Sequence, residues 1–186
     1  MKYLIISGNP KTDGMCHSIF ERVVQGAQDG GAEVEILTVE ALQRCHICDN
    51  GWGICREQHR CTFGDDGFDA AQETVKNADQ IALITPVYWN EMAEGLKGFL
   101  DRLRRCEFGK AGALSEKQLL LIASAGGTGN GILPCLEQMD RFCRHTNAVI
   151  FDALGVNRWN TDYMRQAAYA AAHAMTAGRK AGETLL

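Results

Sequence analysis

The sequence predicts an α/β chain built on a doubly wound parallel sheet of five strands with helices on both faces, and three observations carry that reading. Five short apolar runs, KYLIISG, EVEILTV, QIALITPVYW, QLLLIASA and AVIFDALGV, are bounded by Gly, Asn, Pro or Asp, as suits strands buried on both faces. Segments with helical periodicity lie between and after them, so the strands run parallel. Small-residue loops follow the first, third and fourth runs, at the sheet edge where doubly wound folds bind their ligands.

Taken in order, strand 2–8 leads through SGNPKTDGMCHS into a helix over 18–29, which the Gly30-Gly31 pair stops. Strand 33–39 is followed by an irregular insert at about 44–67, rich in Cys and His, and then by a helix over 68–77. Strand 80–89 is broken near its end by Pro86, and Asn90 is placed to cap a helix over 93–105. Strand 118–125, helix 132–145, strand 148–156 and helix 161–178 complete the alternation. No internal repeat or linker interrupts it, so residues 1–186 are expected to form a single domain.

The 186 residues are 46% apolar with a formal net charge of −4, which leaves no electrostatic footprint for nucleic acid or for an anionic membrane surface. The apolar part of MKYLIISGNP is too short for a signal-peptide core, and no run approaches a membrane span, so a cytoplasmic location is expected. In that reducing setting, eight cysteines read as thiols or metal ligands rather than disulfides.

The loop after the first strand has neither the G-x-G-x-x-G of a dinucleotide fold nor the G-x-x-x-x-G-K-[ST] of a nucleotide triphosphatase. It offers Ser7, Asn9, Lys11, Thr12 and Ser18 as side-chain donors, together with the first helical amides. This suits one terminal phosphate; the plainer alternative is an ordinary βα turn. After the third strand, Pro86, Val87, Tyr88, Trp89 and Asn90 form an apolar and aromatic rim fit to flank a flat ring. After the fourth, SAGGTGNG bares its backbone at Ser124, Gly126, Gly127 and Thr128 to a ligand.

SGNPKTDG, TPVYWNEMAEGLKGFLDR and SAGGTGNG, in this order and at these spacings, resemble the flavodoxin-like NAD(P)H-dependent FMN reductases over essentially the whole chain. The resemblance implies a sheet of order 2-1-3-4-5, FMN phosphate in the first loop, and the isoalloxazine between the second and third. The phosphate loop would comprise Ser7, Asn9, Lys11, Gly14, Met15, Cys16, His17 and Ser18. Asn9, Lys11, Met15 and Cys16 stand where the family pattern has Ser, Arg, Asn and Thr, so backbone amides must carry more of the phosphate and FMN is expected to exchange. Cys16, in the first helical turn, is expected to be reactive without FMN and shielded with it. Hydride transfer from NADH or NADPH to flavin N5 is carried by two stacked rings, which explains the lack of a catalytic triad or carboxylate pair. The expected reaction passes electrons from FMN to a flavin, quinone or other small-molecule electron acceptor. A flavin-binding sensor module is the non-enzymatic alternative. The resemblance also implies a homodimer or higher homo-oligomer.

The insert spaces its thiols as Cys45-x2-Cys48-x6-Cys55-x5-Cys61, enough for an iron-sulfur cluster or zinc, although a loop without metal fits as well. Iron-sulfur flavoproteins, relatives of the reductases, are similar here but place their third cysteine at the position of Gly51. FMN with a cluster would make the chain an electron carrier. Cys16, Cys106, Cys135 and Cys143 read as single helical thiols, small hydrophobes in the core. Arg102, Arg104 and Arg105 suit either the 2′-phosphate of NADPH or the dipole at a helix carboxyl end.

Overall fold

The computed structural model describes residues 1–39, 42, 44–48, 51 and 53–182. Among these residues are six strands and six α-helices, one more of each than expected: β1 (Lys2–Ser7), α1 (Gly14–Asp29), β2 (Glu33–Thr38), α2 (Cys55–Gln58), α3 (Phe68–Asn77), β3 (Gln80–Tyr88), β4 (Glu91–Met92), α4 (Glu94–Cys106), β5 (Gln118–Ala125), α5 (Ile132–Thr146), β6 (Val149–Asn157) and α6 (Thr161–Thr176). The sheet runs β2-β1-β3-β5-β6, all parallel, with β4 paired antiparallel to the end of β3. Five long strands therefore stand in the expected spatial order, but the count is six rather than five.

The added strand has a local cause. Trp89 and Asn90 take φ of +51° and +70°, the two left-handed positions of a tight hairpin turn, and the chain folds back to pair Val87 with Met92 and Tyr88 with Glu91. Asn90 is thus a turn residue and not the cap of α4, whose N-cap is Ala93. Nor does Pro86 end its strand. Pairing between β1 and β3 stops at Ile84, so Pro86 lies where β3 has lost that neighbour while still in register with Ser124 of β5.

Residues alternate between two apolar layers along the central strands. Leu4, Ile6, Ile81, Leu83, Leu119 and Leu121 face α3, α4 and α5 through Phe68, Val75, Leu96, Phe99 and Phe142. Tyr3, Ile5, Ala82, Ile84, Leu120 and Ile122 face α1 and α6 through Ile19, Val23, Ala168, Ala172 and Met175. Both faces are covered, which is why these strands read as continuous apolar runs. The edge strand β2 differs: Glu33, Glu35 and Ile36 are exposed, and its charges discourage pairing with a further strand. Among the described residues no helix is long and apolar enough to cross a membrane.

Candidate functional site

The carboxyl edge of the sheet gathers the predicted loops. Strand β1 ends in the buried Ser7, and Gly8 donates its amide to Ile84 O at 2.9 Å, fixing the loop beside β3. Asn9 then folds on itself: its Nδ2 donates to Lys11 O at 2.8 Å and its Oδ1 accepts from Lys11 N. Helix α1 begins at Gly14, four residues before the expected start, because glycine can enter it at φ +79°. No side chain caps it, since Asp13 at the N-cap makes no such bond. The first-turn amides are therefore left for water or an anion.

Several expected side-chain donors are already engaged. Ser18 Oγ donates to Met15 O at 2.8 Å and accepts from Arg165 Nε at 3.2 Å. His17 stacks on Phe20 and lies 3.6 Å from Glu21. Lys11 and Thr12 remain exposed, and with Ser7, Asn9 and His17 they line a cleft of about 320 Å³ that opens toward β2.

At the hairpin, Val87 is half-buried, Tyr88 is 47% exposed and Trp89, at the tip, is 96% exposed. The turn is held from below by Thr85, whose buried Oγ1 accepts from Ala93 N at 3.0 Å. It is held from the side by Gly131, where a Cβ would stand 2.6 Å from Asn90 Oδ1. Gly126, Gly127 and Thr128 are exposed, and no atom lies within 4 Å of a Cβ built on either glycine. Behind them Ser124 Oγ is buried without an oxygen or nitrogen partner and faces the Cys16 thiol.

Cys16 does not behave as its place in the first helical turn predicts. It is 8% exposed, and burial pushes its pKa up to about 12 against a smaller lowering by the Ser124 hydroxyl. Desolvation outweighs the helix dipole. Iodoacetamide at pH 8 is expected to modify Cys16 far more slowly than the half-buried Cys48 in FMN-free, chelator-treated protein; peptide mass mapping reads the two rates. Comparable rates would mean that the first turn opens.

The turn after β6 completes the edge. Asn157 Oδ1 accepts from Trp159 N and Asn160 N, and Asn160 Nδ2 donates to Gly155 O. Thr161 Oγ1 lies 2.6 Å from Asn157 O and 2.9 Å from Met15 Sδ, which ties this turn to the start of α1. Trp159, 62% exposed, carries the Arg158 guanidinium over its ring.

The insert forms a second centre, on the other face of the sheet. Cys45, Cys48, Cys55 and Cys61 line one cavity with His46, Arg102 and Arg105, and Cys106 joins them from the last turn of α4. None of the eight cysteines is in a disulfide. Cys106 is therefore not an isolated core thiol; its partners lie 45 or more positions away in the chain, beyond the reach of a spacing argument. The void holds about 20 Å³, roughly one water-sized sphere. Among the described residues no three His, Cys, Asp or Glu side chains converge as ligands of one metal ion.

Two arginines of DRLRRC, Arg102 and Arg105, face this insert. Arg102 is buried and reaches Asp66 with Nη1 at 2.7 Å and Nη2 at 3.1 Å, Phe63 O at 2.8 Å and Cys61 Sγ at 3.3 Å. Its guanidinium also lies 4.2 Å over the Phe68 ring. Arg105 donates to Gly51 O at 2.5 Å. Only Arg104 turns elsewhere, into the cleft between α4 and α5.

A flavodoxin-like α/β sheet with an uncapped helix start, a bare glycine loop and an aromatic hairpin at its carboxyl edge defines a class of nucleotide-binding fold. Within that class the chain belongs to the NADPH-dependent FMN reductase family, whose model matches residues 1–161. It is similar to an iron-sulfur flavoprotein of Methanosarcina thermophila, 33% identical over 136 residues that cover 70% of this chain and 66% of that protein. An iron-sulfur flavoprotein of Methanocaldococcus jannaschii is 30% identical over 111 residues, 59% of this chain and 55% of the relative. The chain thus matches less than two thirds of the length of either relative. Among solved structures, an NAD(P)H:quinone oxidoreductase from Methanothermobacter marburgensis superposes with a TM-score of 0.70 over 98% of both chains at 15% identity, a likeness of fold.

Proposed function

We propose that this protein is an FMN-dependent oxidoreductase that takes hydride from NADH or NADPH onto FMN and passes electrons to a flavin, quinone or other small acceptor. The observation that carries the reading is the convergence at one sheet edge of free α1 amides with the open backbone at Gly126 and Gly127. The residues present fit FMN. The α1 amides and Lys11 would hold its phosphate, and the buried Ser124 hydroxyl behind the loop, with no oxygen or nitrogen partner, is a further polar group on that side. Gly126, Gly127 and Thr128 would face the ring edge with peptide N–H groups, and Trp89 or Tyr88 would cover a ring face.

Bound FMN supplies hydride acceptance and onward electron transfer. The chain's own contribution is position and charge: its amides favour negative charge at the ring edge, and the hairpin limits water on one ring face. Because Asn9 and Ser18 spend their polar atoms within the loop, the phosphate would rest on backbone and Lys11, which supports an exchangeable FMN. Anaerobically purified protein titrated with FMN is expected to quench flavin fluorescence and to oxidise NADH or NADPH at the expense of an added quinone. Flavin binding without nicotinamide oxidation would favour a sensor module; tight FAD binding without FMN affinity would overturn the reading.

The thiol cavity favours a second reading, an electron carrier with FMN and an iron-sulfur cluster. Its donor set fits such a centre: soft sulfur ligands, with Arg102 and Arg105 to offset their charge. Thiols ranged around a cavity rather than converging on one point suit a cluster better than a single ion, whose tetrahedral sulfurs stand only about 3.8 Å apart for a metal–sulfur bond of about 2.3 Å. The void of about 20 Å³ means that the insert must move outward to admit it. Exposed Trp89, Leu133, Trp159 and Tyr163 near the carboxyl edge support a homodimer or higher homo-oligomer that covers them.

A further inference from the structure

We propose that Cys106 is a ligand of the metal centre carried by the insert, so that the centre is held between the insert and helix α4 and not by the insert's own cysteines alone. The inference rests on the cluster reading and goes beyond it, because Cys106 lies outside the Cys45 to Cys61 run and on a different element.

Three observations lead to Cys106. It lines the same cavity as the four insert thiols Cys45, Cys48, Cys55 and Cys61. It is fixed from the scaffold side: it is 1% exposed at the end of α4, a helix whose Leu96, Phe99, Leu100 and Leu103 are all buried against the sheet. The backbone around it is also tied down, since Cys106 O lies 2.7 Å from His59 Nδ1 and Glu107 N donates to Leu103 O. A cavity with five thiols holds one more than a four-ligand centre needs. Cys106 and Cys55 are buried and so lose little conformational freedom on ligation, whereas Cys45, Cys48 and Cys61 are half-buried.

Cys106 Sγ–H loses its proton to solvent as the sulfur–metal bond forms, and no electron changes place in that ligation step; the cluster itself balances when ferric and ferrous iron are supplied together with sulfide. The guanidinium of Arg102, bonded to Cys61 Sγ, and that of Arg105 remain beside the thiolates as compensating charge.

The test is anaerobic loading of the full chain with equal amounts of ferric and ferrous iron and with sulfide, and in a parallel arm with zinc alone, followed by iron, sulfide and zinc analysis per chain and electron paramagnetic resonance of the reduced sample. Wild type and Cys143→Ser, a buried thiol of α5 outside the cavity, are expected to take up the same iron and sulfide. Cys106→Ser and Cys106→Ala are expected to lose most of it or to show a changed resonance, while circular dichroism melts confirm that they fold. Full loading and an unchanged resonance in both Cys106 variants would overturn the inference and leave the cluster reading standing. Wild type that takes up no iron and sulfide would overturn both, and stoichiometric zinc lost in the Cys106 variants would keep Cys106 as a ligand while replacing the cluster by an ion.

Discussion

Arg102→Ala is expected to lower the unfolding free energy by about 3–5 kcal/mol, the range for stripping one partner from a buried ion pair. The side chain is 1% exposed and its partner Asp66 only 14%, so truncation leaves a carboxylate in a largely dry site with its bidentate donor gone. Phe63 O and Cys61 Sγ lose a donor in the same step, and the Phe68 ring loses the cation over its face. Arg102→Lys keeps the charge but not the planar fork, and should fall between the two. Urea unfolding of all three proteins measures the difference. A loss below about 1 kcal/mol would show that the pair behaves like an exposed salt bridge. The bonds of Arg102 also run from α4 to residues 61–66, so the alanine variant should expose the insert thiols to alkylating reagents before the sheet unfolds.

That role lay beyond the sequence, whereas the sheet did not. The strands were legible because burial on both faces leaves an unbroken apolar run, and the three loops at the carboxyl edge because glycine and small polar residues stand out against such runs. DRLRRC looked like a nucleotide patch or a dipole cap because the partners of Arg102 and Arg105 lie 36 to 54 positions away, and no local pattern reports a contact at that distance. Cys106 escaped for the same reason. The hairpin at Trp89–Asn90 was hidden differently: Pro86 reads as a strand end, and only the early stop of β1 shows why β3 can carry a proline and continue. In the loop after β1 the sequence shows the residue types but not their bonding, since Asn9 and Ser18 turn their polar atoms inward and burial governs Cys16.

Gly127→Val is expected to weaken FMN binding on the order of 100-fold, about 2.7 kcal/mol, while the unfolding free energy moves by no more than about 0.5 kcal/mol. The asymmetry follows from the space around the residue. Gly127 does not adopt a positive φ, and a Cβ built on it meets no atom within 4 Å, so the chain itself accepts a branched side chain there. A flavin resting on that backbone would not, because the added methyls fill the space its ring edge needs. Gly131, four positions on, supplies the contrast: at φ +87°, with Asn90 Cα 2.7 Å from its Cβ position, Gly131→Ala must strain the loop and push the hairpin turn aside. That variant should lose stability and FMN affinity together, whereas Gly127→Val loses affinity alone. Fluorescence titration with FMN and urea unfolding on both variants separate the two effects. Equal FMN affinity in wild type and Gly127→Val would remove the glycine loop from the flavin site, whatever the outcome at Gly131.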